Sequence, residues 1–206
     1  MGARLSSAER RERILGSAMD LFARRGFCGV STRELARGAG ISEAMIFRHF
    51  PDKGDLYRAI LERHLADVER AMPLADLAAS PLPPREFLEG VASTLLGRID
   101  ADPTLLRLMF FSALEDHPLA REFERARGRG LRGAIETYLR RRFRDGTLRR
   151  VDPRVAARSF VWTVVGWGLS RVLFREPRAR AERRPALVRK IVAQFLEGLR
   201  APGGAP

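Results

Sequence analysis

Three histidines, one cysteine and a large set of arginines are the side chains of this 206-residue chain with chemistry to offer. His49, His64 and His117 have no second ligand at metal-binding spacing, and no glycine-rich phosphate loop, nucleophile elbow or Cys/His pair accompanies them. Glu115, Asp116 and His117 stand together, but directly before Pro118 they read as a helix end and a turn. The expectation is therefore a protein that is not an enzyme, with no metal and no cofactor, whose chemistry is recognition. The recognising groups with the clearest setting lie between Ser31 and Lys53, in STRELARGAGISEAMIFRHFPDK. On a helix through this stretch Met45, Arg48 and His49 share the face opposite Ile46 and Phe50, so three polar or soft side chains point out while two apolar ones anchor.

The elements that must hold that face are legible from caps. Ser31 followed by Glu34 is a capping box, in which the serine oxygen takes the Glu34 N–H and the glutamate reaches back to the Ser31 N–H. Leu35, Ala36 and Ala39 then form an apolar stripe at helical spacing. Gly40 sits where that helix must end in a left-handed conformation, and Ser42 caps the next one. Two short helices across a glycine turn form a helix-turn-helix, whose second helix can enter a DNA major groove. On these caps alone a generic helical hairpin is the other reading.

Helical spacing recurs through the rest, with no useful strand-type alternation, and gives nine helices in all. The first spans about 7–25, with Ile14, Leu15, Ala18, Leu21 and Phe22 inward; a fourth starts at Asp52 and reaches about Met72. The stretch 74–84, rich in proline and alanine, reads as a connection. Helices follow over 85–99, 103–115 and 118–146, the last weakened by Gly128, Gly130 and Gly133. An eighth opens on Asp152-Pro153 and reaches Phe174, and a ninth spans about 184–199. The tail 201–206 is expected to be disordered.

The order of ILGSAMDLFARRGF (14–27), STRELARGAGIS (31–42), MIFRHFPDK (45–53) and LYRAIL (56–61) resembles the DNA-binding region of the TetR (tetracycline-repressor-like) family of bacterial transcriptional regulators. The remainder resembles the family only in being helical and of the right length. The resemblance implies an all-α fold with a helix-turn-helix DNA-binding domain over 1–55 and a larger ligand-binding and dimerisation domain over 56–200. It also implies a homodimer on a two-fold-symmetric DNA operator, most often as a repressor released by a small-molecule effector.

By position in that motif, Arg33, Ala44, Met45 and His49 approach base edges, while Thr32, Ser42, Phe47 and Lys53 lie along the backbone. Arg33 can fork onto guanine O6 and N7, and Ala44 or Met45 can touch a thymine methyl. Lys53 suits a phosphate near a helix start. Arg48 reads either as a contact or as a solvated surface arginine. Phe47 departs from the family, which usually places a tyrosine there, so one phosphate hydrogen bond is missing. Glu43 either accepts from cytosine N4 or offsets the dipole at its helix start, and the dipole reading is preferred.

Beyond the motif, Phe110, Phe111, Tyr138 and Trp162 would suit an apolar effector pocket, and would equally fill an ordinary core. The eighth and ninth helices carry more apolar residues than one core stripe needs. Val161, Val165, Gly168, Leu169, Val172, Ile191 and Phe195 are the candidate dimer interface, built as a four-helix bundle about a two-fold axis.

Net charge is +13. By segment it is +4 over 1–50, −3 over 51–100, +5 over 101–150 and +7 over 151–206, so most of it lies outside the helix-turn-helix. A single cysteine, Cys28, excludes an intramolecular disulfide and suits a reducing cytoplasm. The longest apolar run, 160–169, is too short to span a bilayer, so no membrane partner is expected.

Overall fold

The computed structural model describes residues 6–199, which form twelve α-helices, one π-helical segment and, among the described residues, no strand. The expected tail 201–206 lies outside the described residues. The chain packs into two compact units. One contains Met1–Val68 and Thr104–Arg125, and the other Glu69–Pro103 and Ala126–Pro206. The first unit thus continues past residue 55 and takes in a segment from the middle of the chain.

In the first unit, α1 (Ser7–Arg25), α2 (Thr32–Ala39), α3 (Glu43–His49) and most of α4 (Lys53–Ala71) are joined by α7 (Thr104–Leu114) and most of α8 (Pro118–Arg127). Ser6 with Glu9 and Ser31 with Glu34 both close complete capping boxes, which satisfy the orphan N–H groups of α1 and α2. The Ser31 N–H, followed by the Arg25 guanidinium, holds the Glu34 carboxyl down to about 2. Gly40 ends α2 with φ +67, left-handed as its position demands. One apolar core joins Ile14, Leu15, Ala18 and Phe22 of α1 to Leu35 and Ala39 of α2, Ile46 of α3, Leu56, Tyr57 and Ile60 of α4, and Leu108 of α7.

The second unit holds α5 (Leu74–Ala79), α6 (Pro84–Ala101), α9 (Gly133–Arg144), α10 (Pro153–Val172), α11 (Pro177–Ala181) and α12 (Arg184–Glu197). Helix α6 packs on α10 and α12, while α9 packs on α5 and α10. Tyr138 lies at its centre, its ring stacked on Phe87 at 3.7 Å between centroids and its hydroxyl donating to the Leu82 carbonyl at 2.7 Å. Arg141 and Arg142 donate to the carbonyls of Ala79, Ser80, Pro81 and Leu82, so two guanidiniums satisfy the backbone that turns from α5 into α6.

Three departures from the nine-helix reading have local causes. The expected connection 74–84 begins with a helix, because LADLAA is built of good helix formers and only Ser80-Pro81 stops it. The expected helix 118–146 is broken by a π segment, Gly128–Arg132, in which Gly130 has φ −79 and ψ −110. The glycines foreseen as weak points are where the break falls. A short helix, α11, fills the stretch after α10, started by Pro177 in the first turn.

Candidate nucleic-acid interface

Helix α3 is short, and its side chains are sorted by burial. Ile46 and Phe50 are 1% and 2% exposed and fix the helix to the core. On the other side Ala44 and Arg48 are exposed, Met45 and His49 half-buried, and Phe47 is 46% exposed. Ser42 caps the helix, its Oγ accepting from the Met45 N–H at 3.3 Å.

The start of α2 lies beside the start of α3, and Glu43 ties them. Thr32 Oγ1 donates to Glu43 Oε2 at 2.7 Å, and Arg33 Nε lies 3.5 Å from Glu43 Oε1. The two readings of Glu43 offered by the sequence, cytosine acceptor and dipole partner, both miss this link. Glu43 stands in the first turn of α3, as the dipole reading requires, and its carboxylate also links the residues expected to flank a groove. The Arg33 side chain is still 81% exposed, so its fork remains open to a further acceptor.

Lys53 is placed otherwise than expected for a backbone contact. Its Nζ donates to the carbonyls of Phe27 at 2.9 Å and Val30 at 3.0 Å, and lies 4.1 Å from the centroid of the Phe27 ring. Two of its three protons are thus spent on the α1–α2 turn. Glu115 grips the same turn through the opposite groups, accepting from the Phe27 N–H at 2.8 Å and the Cys28 N–H at 3.2 Å. Gly26 has φ +74, and a Cβ there would collide with the Glu115 carboxylate and crowd Phe111. His117 packs on Phe27 with centroids 4.1 Å apart, and burial holds its pKa below the usual value. No local pattern announces Glu115, since 88 residues separate it from Phe27. Arg11, over the Phe50 ring at 4.8 Å, is a second residue the sequence reading left out.

The proposed pocket residues are not gathered in one unit. Phe110 and Phe111 belong to the first, Tyr138 and Trp162 to the second. Tyr138 is fully buried against Phe87, and burial raises its pKa, whereas Trp162 is 39% exposed. The interface candidates also divide. Val161, Val165 and Ile191 are buried within the chain itself, and Gly168 faces Ile99. Leu169, Val172 and Phe195 are half-buried. The open apolar face of α10 is instead carried by Val155, Trp162 and Trp167, with Phe174 just beyond its end, exposed by 59%, 39%, 38% and 75%. A Cβ added at Gly166 on this face would meet nothing within 4 Å. Periodicity could not tell the inner stripe of α10 from its outer one.

Among the described residues no cluster of three or more metal-ligating side chains occurs, and no helix is long and apolar enough to cross a membrane. What the two units define is an all-helical protein with an N-terminal helix-turn-helix and a second helical body. The profile described as "Bacterial regulatory proteins, tetR family" matches residues 14–60, and that of the "AefR-like transcriptional repressor, C-terminal domain" matches residues 92–198. The chain belongs to the TetR family, whose members are DNA-binding transcriptional regulators.

Curated relatives include the activator FasR of Mycolicibacterium smegmatis, 30% identical over 53% of this chain, and the repressor SCO4008 of Streptomyces coelicolor, 30% identical over 50%. In both cases the match spans 49% of the relative's length. The nucleoid occlusion factor SlmA of Vibrio vulnificus is 32% identical over 77% of this chain and 82% of its own. Among solved structures, FadR of Bacillus subtilis in complex with stearoyl-CoA has a TM-score of 0.71 at 16% identity, covering 91% of this chain and 98% of that one. AibR in complex with isovaleryl coenzyme A and operator DNA has a TM-score of 0.71 at 19% identity, with the same coverage. These two likenesses are of fold.

Proposed function

We propose that the protein is a ligand-responsive transcriptional repressor that binds a two-fold-symmetric operator as a homodimer in the cytoplasm and is released by a small-molecule effector. The observation that carries the reading is the sorted face of α3. Ile46 and Phe50 are locked in the core while Ala44, Met45, Phe47, Arg48 and His49 stand outward next to Thr32, Arg33 and Ser42. A recognition helix needs that division, with rigid anchoring behind and adaptable groups in front. In this reading 1–55 is the DNA-binding domain and 56–200 the ligand-binding and dimerisation domain.

Dimerisation is supported by the outer face of α10, where two tryptophans flank an open glycine. Such a face is suited to a self-complementary helix pair, with Leu169, Val172 and Phe195 at its margin. The effector is supported by the C-terminal match to a repressor domain and by the CoA thioesters held in two proteins of similar fold. Titration of the DNA flanking the protein's own gene, with and without candidate ligands including acyl-CoA, tests the proposal. Failure of any such DNA to bind in preference to a scrambled sequence would refute it.

A second reading has its own support. The relative matched over 82% of its length is a nucleoid occlusion factor, and a DNA-organising protein would share the helix-turn-helix without sensing a ligand. The same titration separates the two. Binding at many sites, unmoved by any ligand, would favour the second.

A further inference from the structure

The C-terminal quarter has the highest positive charge of the chain, and the helix-turn-helix makes no use of it. Part of it lines a cleft of about 640 Å³ in the second unit, bounded by Asp100, Arg171, Val172, Arg175 and Arg180. That volume falls in the range of small-molecule sites.

The floor of the cleft is rigid. Arg171 donates from Nε and Nη2 to the two Asp100 oxygens at 2.9 and 3.2 Å, and from Nη1 to the carbonyls of Ala179 and Glu182 at 2.7 and 2.9 Å. Only 15% of its side chain is exposed. The Asp100 charge is thereby spent on Arg171, leaving the guanidiniums of Arg175 and Arg180 with no carboxylate partner among the described residues.

Arg175 also has φ +52, in the left-handed region where glycine is the ordinary choice. It stands in the turn that ends α10, where the N–H of the next residue, Glu176, donates to the Ser170 carbonyl at 2.8 Å. We propose that this cleft binds the diphosphate group of a small phosphorylated molecule, with Arg175 and Arg180 as the two forks. Guanidiniums pair with phosphate oxygens two bonds at a time, and two of them match two linked phosphates. The cleft is open and polar, which suits a hydrated anion and not the apolar portion of a ligand.

The proposal does not depend on the effector reading, because the binding is measured without DNA. Calorimetric titration of the full chain with inorganic pyrophosphate should show one saturable site per chain. Arg175→Gly and Arg180→Ala should each weaken it about tenfold or more, the loss of a charge-assisted contact. Arg178→Ala, outside the cleft, should leave it unchanged. Arg175→Gly removes the guanidinium and the backbone strain together, so its melting temperature should be unchanged or higher while its affinity falls. That pairing excludes unfolding as the cause. The proposal is overturned if binding is not saturable, or if Arg178→Ala weakens it as much as the cleft variants do. It is overturned as well if the cleft variants spare pyrophosphate but flatten the salt dependence of DNA binding, which would make the arginines contacts to a DNA backbone.

Discussion

Arg33 and Glu43 make opposite predictions from one ion pair. The contact is 3.5 Å long and 81% of the Arg33 side chain is in solvent, so the pair itself contributes about 0.2–1 kcal/mol. A bidentate fork on guanine contributes about 1–3 kcal/mol of discrimination. The second exceeds the first, so a guanidinium that exchanged Glu43 for a base edge would do so at a net gain. We predict that Arg33→Ala weakens operator binding by roughly 5–150-fold per half-site and affects scrambled DNA far less. Glu43→Gln should act the other way. It removes a negative charge from beside the phosphates and releases Arg33, while the Gln oxygen still accepts from the Thr32 hydroxyl. Affinity for all sequences should then rise, by about 0.2–1 kcal/mol if the gain is the released pair. Fluorescence anisotropy with labelled operator and scrambled duplexes reads both variants. An unchanged operator-to-scrambled ratio for Arg33→Ala would sink the base-contact role, and weaker binding by Glu43→Gln would show that the carboxylate itself reads a base.

Lys53→Ala should lower stability by about 1–3 kcal/mol, because it strips charge-assisted bonds from two carbonyls of the α1–α2 turn; an unchanged urea midpoint would argue that the ammonium is instead free for phosphate. Gly166→Leu should raise helix stability by about 0.5–1 kcal/mol yet break the dimer in sedimentation, since the added side chain enters space that is open within one chain. His117 has a pKa depressed from 6.5 by burial in the folded chain, so the unfolded chain takes up its proton first as pH falls. Its contribution is fully present above pH 6.5 and is lost as pH falls through the depressed value; urea midpoints should decline over that window and flatten in His117→Asn.

The legibility of this fold follows the range of the forces involved. Caps act over three residues, so Ser31–Glu34, Gly40 and Ser42 could be read directly, and the boundaries of α2 and the start of α3 follow from them. The stripe of Ile46 and Phe50 was equally plain, since one helix face repeats within four residues. Pairings over long separations left no such trace. Glu43 reaches back eleven residues to Thr32, and Glu115 reaches 88 to Phe27. Helix α10 shows the other limit. It is apolar on more than one side, and only its packing on α6 and α9 settles that Val161 and Val165 turn inward while Trp162 and Trp167 turn out.

The α1–α2 turn shows how the first unit can act as one body. Lys53, at the start of α4, holds the carbonyls of Phe27 and Val30, and Glu115, at the end of α7, holds the N–H groups of Phe27 and Cys28. Tyr57 of α4 donates to the Leu108 carbonyl at 2.9 Å and shares a 2.6 Å hydrogen bond with Ser112, while Arg107 donates to the Ala23 carbonyl. Burial pushes the Tyr57 hydroxyl up to about 12, so it stays a neutral donor at any working pH. The Glu115 bonds tie the end of α7 to the turn that leads into α2, the Arg107 bond ties α7 to α1, and the Tyr57 bonds tie it to α4, whose Lys53 holds the same turn. A shift of α7 along its axis would break the Glu115 pair, the Tyr57 pair and the Arg107 bond together, or else carry α1 and α2 with it. At about 0.5–1.5 kcal/mol for each neutral bond, and more where a charge takes part, losing the set costs more than a typical coupling of about 1–3 kcal/mol. Moving as one is the cheaper course. A ligand that displaced α7 would therefore reposition Arg33 without touching it.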